Sequence, residues 1–587
     1  MKIRLPKTLL AALFSVALAG GSHAITLYPS EILEVEAGET VTWTDFSMMQ
    51  SGDSMSPFVK DGEGTLRLED VEGSRTNYYK APLVVREGKA EFVDSTVYAH
   101  GAYNAIPAVL TWVMVGGKNS ELSFSNSSFS IATGETHMNI GTADGSGTLT
   151  LDNKSDMKVV GSVYSGYHSY ANNEEGYGLG WYYNMNGTAA EVGSSYDEKD
   201  ITSVEDRYTE GSYVAALNNY SNRRFGEGTV NVLNGSKLDV ATGYYIGYGT
   251  LNVSGKGSSV IMQTGYGPDS VADGSEYAST YCLIMGRWSG GKSTLNVTDG
   301  ATMTVIGQLR TQHAVSTESN ITVDGEGSRL QVNSTAKIGL KDSADNSTTI
   351  VVSNGGEAAF ARTEMTAANA SMTVDKSSLF SSDSITVSKG TLSNAGKMQA
   401  FTEGAEATLT IAGGSVSNSG SIEHAITLSD GEFVVQSGGS IASLEATGGT
   451  FTAEDSIDVF GDVSLSDTEF VFTDGTVIDL NGNDFTFGEG STITIIMEQL
   501  GTEVVMLAAT DTDYTIQGIT FDNAGMVSGL DEDIQVTLLS SADDTEGTTV
   551  TLKASSVTIN SAAVPEPATA TLSLLALAAL AARRRRR

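Results

Sequence analysis

Chemistry in this chain would have to come from its histidines, its carboxylates or its aromatic rings. The six histidines, His23, His100, His137, His168, His313 and His424, lie far apart and never at metal-ligand spacing, so no metal site is expected. A hydrolytic triad needs a nucleophile, a base and an orienting group, and no G-x-S-x-G elbow presents the nucleophile. Glycine pairs such as Gly355-Gly356 and Gly413-Gly414 read as turn residues, and no G-x-x-x-x-G-K-[ST] loop is expected to cradle a phosphate. Paired carboxylates could cleave a polysaccharide, and Asp197 to Asp200 (DEKD) and Asp531 to Ile534 (DEDI) are runs of that type. In a chain with 71 acidic residues, such runs are expected of a solvated acidic surface. That leaves the rings. Ten tyrosines crowd between about Val163 and Arg224, and Trp181, Tyr182 and Tyr183 among neighbouring asparagines suit contact with a glycan or a protein. The same rings could instead pack on one another to hold that segment together. No catalytic residue and no cofactor is expected.

The elements that must position these side chains show in the repeats. "GEGTVNVLNGSKLDVATG" from Gly226, "YGTLNVSGKGSSVIMQTG" from Tyr248, "KSTLNVTDGATMTVIG" from Lys292 and "ESNITVDGEGSRLQVN" from Glu318 each read as strand, glycine turn and strand. TVNV, TLNV, TLNV and NITV begin at 229, 250, 294 and 320, steps of 21, 44 and 26 residues, the 44 reading as two units. A unit of about twenty residues with alternate apolar side chains buries its face only when the next coil stacks on it, about 4.8 Å away. The pattern therefore predicts a β-solenoid rather than a string of sandwich domains. Leu251 and Val253, Leu295 and Val297, and Ile321 and Val323 should point inward, with Gly255, Gly300 and Gly325 at corners. "TLSNAGKM" from Thr391 and "SVSNSGSI" from Ser415 form a further pair of repeats.

The termini speak of export. The opening "MKIRLPKTLLAALFSVALAGGSHA" has a basic start, an apolar run from Leu9 to Leu18 and small residues at Ser22 and Ala24, which predicts a secretory leader cut after Ala24 by signal peptidase. The end, Val564 to Arg587, carries an uncharged Ala/Leu-rich helical run from Ala568 to Ala582, long enough to reach roughly 22 Å, a marginal membrane anchor. The terminal arginines would stay on the cytoplasmic side. Pro565-Glu566-Pro567, the apolar helix and Arg583, Arg584, Arg585, Arg586 and Arg587 together resemble the PEP-CTERM sorting signal of Gram-negative bacteria. The resemblance implies an exosortase-type or rhombosortase-type membrane protease that removes the tail and passes the protein to the cell surface or the exopolysaccharide matrix. "GTLNVSGKGSSV" (Gly249 to Val260) and "SNITVDGEGSRLQV" (Ser319 to Val332) resemble the repeat shared by autotransporter passengers and PEP-CTERM proteins, over about Gly145 to Gly356. No C-terminal membrane barrel is read after the repeats, so self-translocation is not implied.

Composition narrows the remaining classes. The net charge is -37, and removing leader and tail would make the chain more acidic still, which excludes nucleic acid as a partner. The single cysteine, Cys282, allows no intrachain disulfide and no thiolate metal site. With 65 glycines and 8 prolines the usage is that of many short strands joined by tight turns. The expected fold is all-β: a right-handed parallel β-solenoid, a pectin-lyase-like β-helix, with capping β segments, an N-terminal signal helix and a C-terminal sorting helix. Its parts are 1–24 (leader), 25–140 (cap and first coils), 141–490 (repeats, with a Tyr-rich insertion at about 163–224), 491–560 (C-terminal β cap) and 564–587 (sorting tail). The expected role is non-enzymatic: an exported surface or matrix protein, an adhesin, with a glycan or exopolysaccharide among its partners and the membrane met through the tail helix. The alternative is a polysaccharide-active β-helix enzyme, a lyase or glycoside hydrolase, which should show acidic and basic residues at one position of consecutive coils. Lysine and arginine, 34 in all, are too sparse in the repeats to supply that ladder.

Overall fold

The structure is a computed structural model that describes residues 2–3, 32–44, 58–72, 83–99, 111–131, 137–141, 146–166, 168–170, 223–225, 227–263, 281–287, 290–340, 342–473, 475–497, 508–509, 514–516, 519–528, 535–540 and 543–551. Among these residues there is no helix, and nearly all strand pairing is parallel. The chain divides into two units, Met1–Ser334 with Asp345–Ser347, and Thr335–Ala344 with Thr348–Arg587.

In the first unit a coil runs through three faces, in the regular repeats as three separate strands and elsewhere with one long strand, such as Leu83–Val93, covering two of them. Glu227–Leu233, Lys237–Val240 and Tyr244–Ile246 make one coil; Gly249–Ser254, Ser259–Met262 and Tyr281–Met285 make the next. Each strand bonds to its counterpart in the neighbouring coil without slippage on the first two faces, Thr229 against Thr250 and Lys237 against Ser259. Alternation sets the register: Leu251, Val253, Leu295, Val297, Ile321 and Val323 are all fully buried, while the residues between them face out. A slip of one residue would turn the whole apolar set to water. Parallel stacking starts well before residue 141, since Thr40–Thr44 already lies on Thr65–Glu69 and Thr65 on Lys89.

One spacing needs correction. Gly249–Ser254 pairs directly with Lys292–Thr298, so the step of 44 is one coil enlarged between Gln263 and Tyr281, not two units. Likewise Thr148 pairs with Thr229 across the Tyr-rich segment, and Val163–Ser165, counted with that segment in the sequence, is the third strand of its coil. Strand pairing constrains only the two ends of a connection, so added loop residues leave the register intact.

The corners combine three residue types. Gly255, Gly300 and Gly325 have φ of 91°, 78° and 93°, as their chemistry suggests, but Asn153, Asn234 and Asp299 hold positive φ at equivalent turns. Beside them sits a buried serine in nearly every coil. Ser258 Oγ donates to Ser254 O at 2.7 Å and accepts from Gly235 N of the preceding coil at 2.9 Å; Ser328 does the same with Asp324 O and Gly300 N. These hydroxyls satisfy turn amides that would otherwise be buried without a partner. Ala301 takes the place in one coil.

The second unit repeats the coil with a different interior. One inward row runs Leu392, Val416, Phe433, Phe451, Phe470 and Ile493 through successive coils. Phe433 and Phe451 stack at 5.7 Å, Phe451 and Phe470 at 5.3 Å. The repeated "SN" of the two Thr391 and Ser415 units becomes a buried amide ladder: Asn394 Nδ2 donates to Asn418 Oδ1 at 2.7 Å, and Asn418 Nδ2 to Ser440 O at 3.0 Å. The stacked coil strands pair in parallel as far as Gln535–Ser540, but Tyr514–Ile516 runs antiparallel to both Ala508–Ala509 and Ile519–Asp522, and Asp543–Thr551 antiparallel to Gln535–Ser540.

His424 is fully buried in this unit, Nε2 bonded to Ser382 O at 2.7 Å and Nδ1 without a partner. Burial lowers its pKa below the ordinary imidazole value, outweighing the Ser382 carbonyl, Glu423 and Asp383, which pull it up. The unfolded chain therefore binds the proton more readily. Stability should be full above about pH 6.5 and fall as the pH drops below it. Chemical denaturation of wild type and His424→Gln at neutral and mildly acidic pH checks this; the variant should show a flatter pH dependence in that window.

Candidate functional site

Several sequence-predicted positions lie outside the described residues: Ala24, Trp181, Tyr182, Tyr183, Asp197 to Asp200, Asp531 to Ile534, Pro565, Glu566, Pro567 and Arg583 to Arg587. What is described of the first unit are the outward faces that would flank any contact site. Tyr164 and Tyr245 occupy one outward row of the third face, their rings stacked at 4.8 Å, and the Arg287 guanidinium lies 4.6 Å from the Tyr245 centroid. Both faces of Tyr245 are thus used within the protein, which makes this stack a spine rather than a free sugar platform. The hairpin His168–Tyr170 with Arg223–Phe225, antiparallel, closes the base of the Tyr-rich segment just beyond it.

Contrary to the expectation that the chain holds no G-x-x-x-x-G-K-[ST] pattern, Gly286 to Ser293, G-R-W-S-G-G-K-S, has the spacing of a phosphate-binding loop. Its setting does not fit. Strands Tyr281–Met285 and Lys292–Thr298 flank it where a helix should follow, Gly286 N donates to Ser293 Oγ at 2.8 Å, and Lys292 Nζ pairs with Glu318 at 2.9 Å.

The most unusual titratable group is Lys60. Its side chain is fully buried and its ammonium donates to the carbonyls of Gly62, Gly64 (2.6 Å) and Glu87 (2.7 Å). Burial pushes its pKa down to about 8, against the pull of Asp61 and Glu87. With all three donors engaged, Lys60 clamps a corner and offers no nucleophilic lone pair at neutral pH. Among the described residues no group of three or more His, Cys, Asp and Glu side chains gathers closely enough to hold a metal ion.

The first face of this unit has two zones. Near its N-terminal end, Arg67, Lys89, Glu91 and Glu121 form a mixed-charge net, with Arg67 Nη1 to Glu91 at 3.1 Å and Lys89 Nζ to Glu91 and Glu121 at 2.6 and 3.1 Å. From Thr148 onward two adjacent outward rows carry no charge, while Glu227, Lys292, Glu318, Asp152 and Asp324 remain at the strand ends. One row is Thr148, Thr229, Thr250, Thr294 and Asn320, and the parallel row is Thr150, Asn231, Asn252, Asn296 and Thr322. In the second row Asn296 Nδ2 donates to Asn252 Oδ1 and Asn252 Nδ2 to Asn231 Oδ1, both at 2.8 Å, and Asn231 Nδ2 to Thr150 Oγ1 at 3.3 Å. Every member of both rows is half-exposed.

Among the described residues no helix is long and apolar enough to cross a membrane. No curated protein and no solved structure matches the chain. The resemblance of the repeats to autotransporter passengers accordingly rests on their sequence alone, and the structure shows parallel stacked strands. Residues 563–587 match the PEP-CTERM protein-sorting motif, so the chain carries the signal of an exported protein sorted by an exosortase-type protease.

Proposed function

We propose that this protein is a non-enzymatic adhesin of the cell surface or extracellular matrix, delivered there by tail-directed sorting and working through contact along its coils. The observation that carries the reading is the sorting motif at 563–587 joined to a body of stacked parallel strands. The signal leader ending at Ala24 and removal of the tail by an exosortase-type or rhombosortase-type protease belong to the same proposal, with the apolar run from Ala568 to Ala582 holding the chain in the inner membrane until the cut. Support for a non-enzymatic role comes from the basic side chains of the first face: Arg67, Lys89 and Lys292 are each tied to a glutamate rather than set beside a free carboxylate.

Mass spectrometry of the C-terminal peptide, on cells separated into inner membrane, surface and medium, tests the reading. Loss of everything after about Pro565 from protein found outside is expected. Replacing Arg583 to Arg587 with glutamine should leave the uncut chain in the cell envelope, and surface display of that variant at the wild-type level would sink the proposal.

A further inference from the structure

We propose that the uncharged Thr/Asn strip of the first unit binds an extended, uncharged polysaccharide chain lying across its coils. This rests on the contact role proposed above and names the ligand class and the face. In a chain of net charge -37, five successive coils present two outward rows without a single ionisable group, bordered by charge at Lys292 and Glu318 on one side and Asp152 and Asp324 on the other. A neutral strip in an acidic surface repels no neutral polymer and offers no attraction to a basic one. Its chemistry also argues against a protein partner: it holds none of the aromatic or arginine anchors on which protein interfaces depend.

The strip is ordered before anything binds. Each Asn amide of the ladder spends one N–H on the coil before it, which fixes the side chain and leaves its second N–H and a carbonyl lone pair directed away from the ladder. Beside it stands a threonine hydroxyl, also donor and acceptor. Together they repeat a donor–acceptor set once per coil, every ~4.8 Å, over about 19 Å. An extended β-1,4-linked glycan advances by roughly one coil spacing per sugar with successive sugars turned over, so its like hydroxyls meet alternate coils. Little rotamer entropy is left to lose on binding, which favours many weak contacts acting together.

The test uses the purified full chain. Retention on cellulose and chitin, and gel retardation in a neutral soluble β-glucan, are compared with alginate and polygalacturonate at low and high salt. Retention by at least one neutral polymer, insensitive to salt, is expected. The triple variant Thr229→Val, Thr250→Val and Thr294→Val keeps β-branched side chains and hence the fold, and should weaken binding about tenfold. Thr250→Asp should do so as well, while Thr304→Val on the second face should change nothing. Retention only by the anionic polymers, retention by none, unchanged binding by the triple variant, or inhibition of ice growth in place of glycan binding would each overturn the proposal. The two readings fail separately: a chain that stays in the inner membrane yet binds in vitro defeats only the surface role, and a displayed chain that binds no neutral glycan defeats only the strip.

Discussion

Phe470→Ala is expected to destabilise the second unit by about 3–5 kcal/mol, the range for deleting a fully buried aromatic ring. Phe470 is the hub of an aromatic cluster, with Phe451 and Phe472 at 5.3 Å, Phe485 at 5.6 Å and Phe487 at 6.0 Å. Parallel coils hold the backbone at fixed spacing, so neighbouring coils cannot close over the void. Part of the loss is the stacking itself, roughly 0.5–1.5 kcal/mol per aromatic pair. Phe470→Leu fills most of the volume and should lose clearly less. Urea denaturation followed by circular dichroism measures both, and equal losses would show that ring contacts contribute nothing beyond volume.

Lys60→Met should cost about 3 kcal/mol in the first unit, because it takes the ammonium donor from the carbonyls of Gly62 and Glu87 and leaves Gly64 O with the Lys89 amide alone. A purely apolar view predicts the opposite, since methionine matches the length of lysine without a charge to desolvate. pH separates the two. The folded pKa of about 8 lies below the ordinary 10.5, so the unfolded chain binds more protons between those values. The native protein should gain stability as pH rises through that window, and the variant should not. A Lys60→Met chain as stable as wild type at neutral pH would show that other groups serve the carbonyls.

The strand alternation, the inward pairs from Leu251 to Val323 and the sorting tail are legible in the sequence because each is a local or linear pattern. The tail works as a string read by an enzyme, so its signal survives without structure. What could not be read depends on neighbours distant along the chain. Lys60 in "FVKDGEG" resembles any solvated lysine, and only the converging corner carbonyls make it a core residue. Ser258 and Ser328 stand visibly in the repeated "GKGS" and "GEGS", yet serine is too common here for a buried role to be inferred. Asn394 and Asn418 look like turn formers until stacking places one amide on the next. The 44-residue step was misread because counting treats every residue alike, whereas pairing is blind to whatever lies between two strands.

That blindness has an evolutionary meaning. The asparagine and threonine ladder closes across a separation of 81 residues as readily as across 21. The entropy of closing the longer connection exceeds that of the shorter by only about 1.2 kcal/mol on the logarithmic law, no more than one or two interstrand hydrogen bonds return. Lineages can therefore exchange, lengthen or delete whatever leaves a corner while the frame beneath it is inherited unchanged. Surface variation of that kind lets a displayed protein alter what it meets without having to rediscover how to fold.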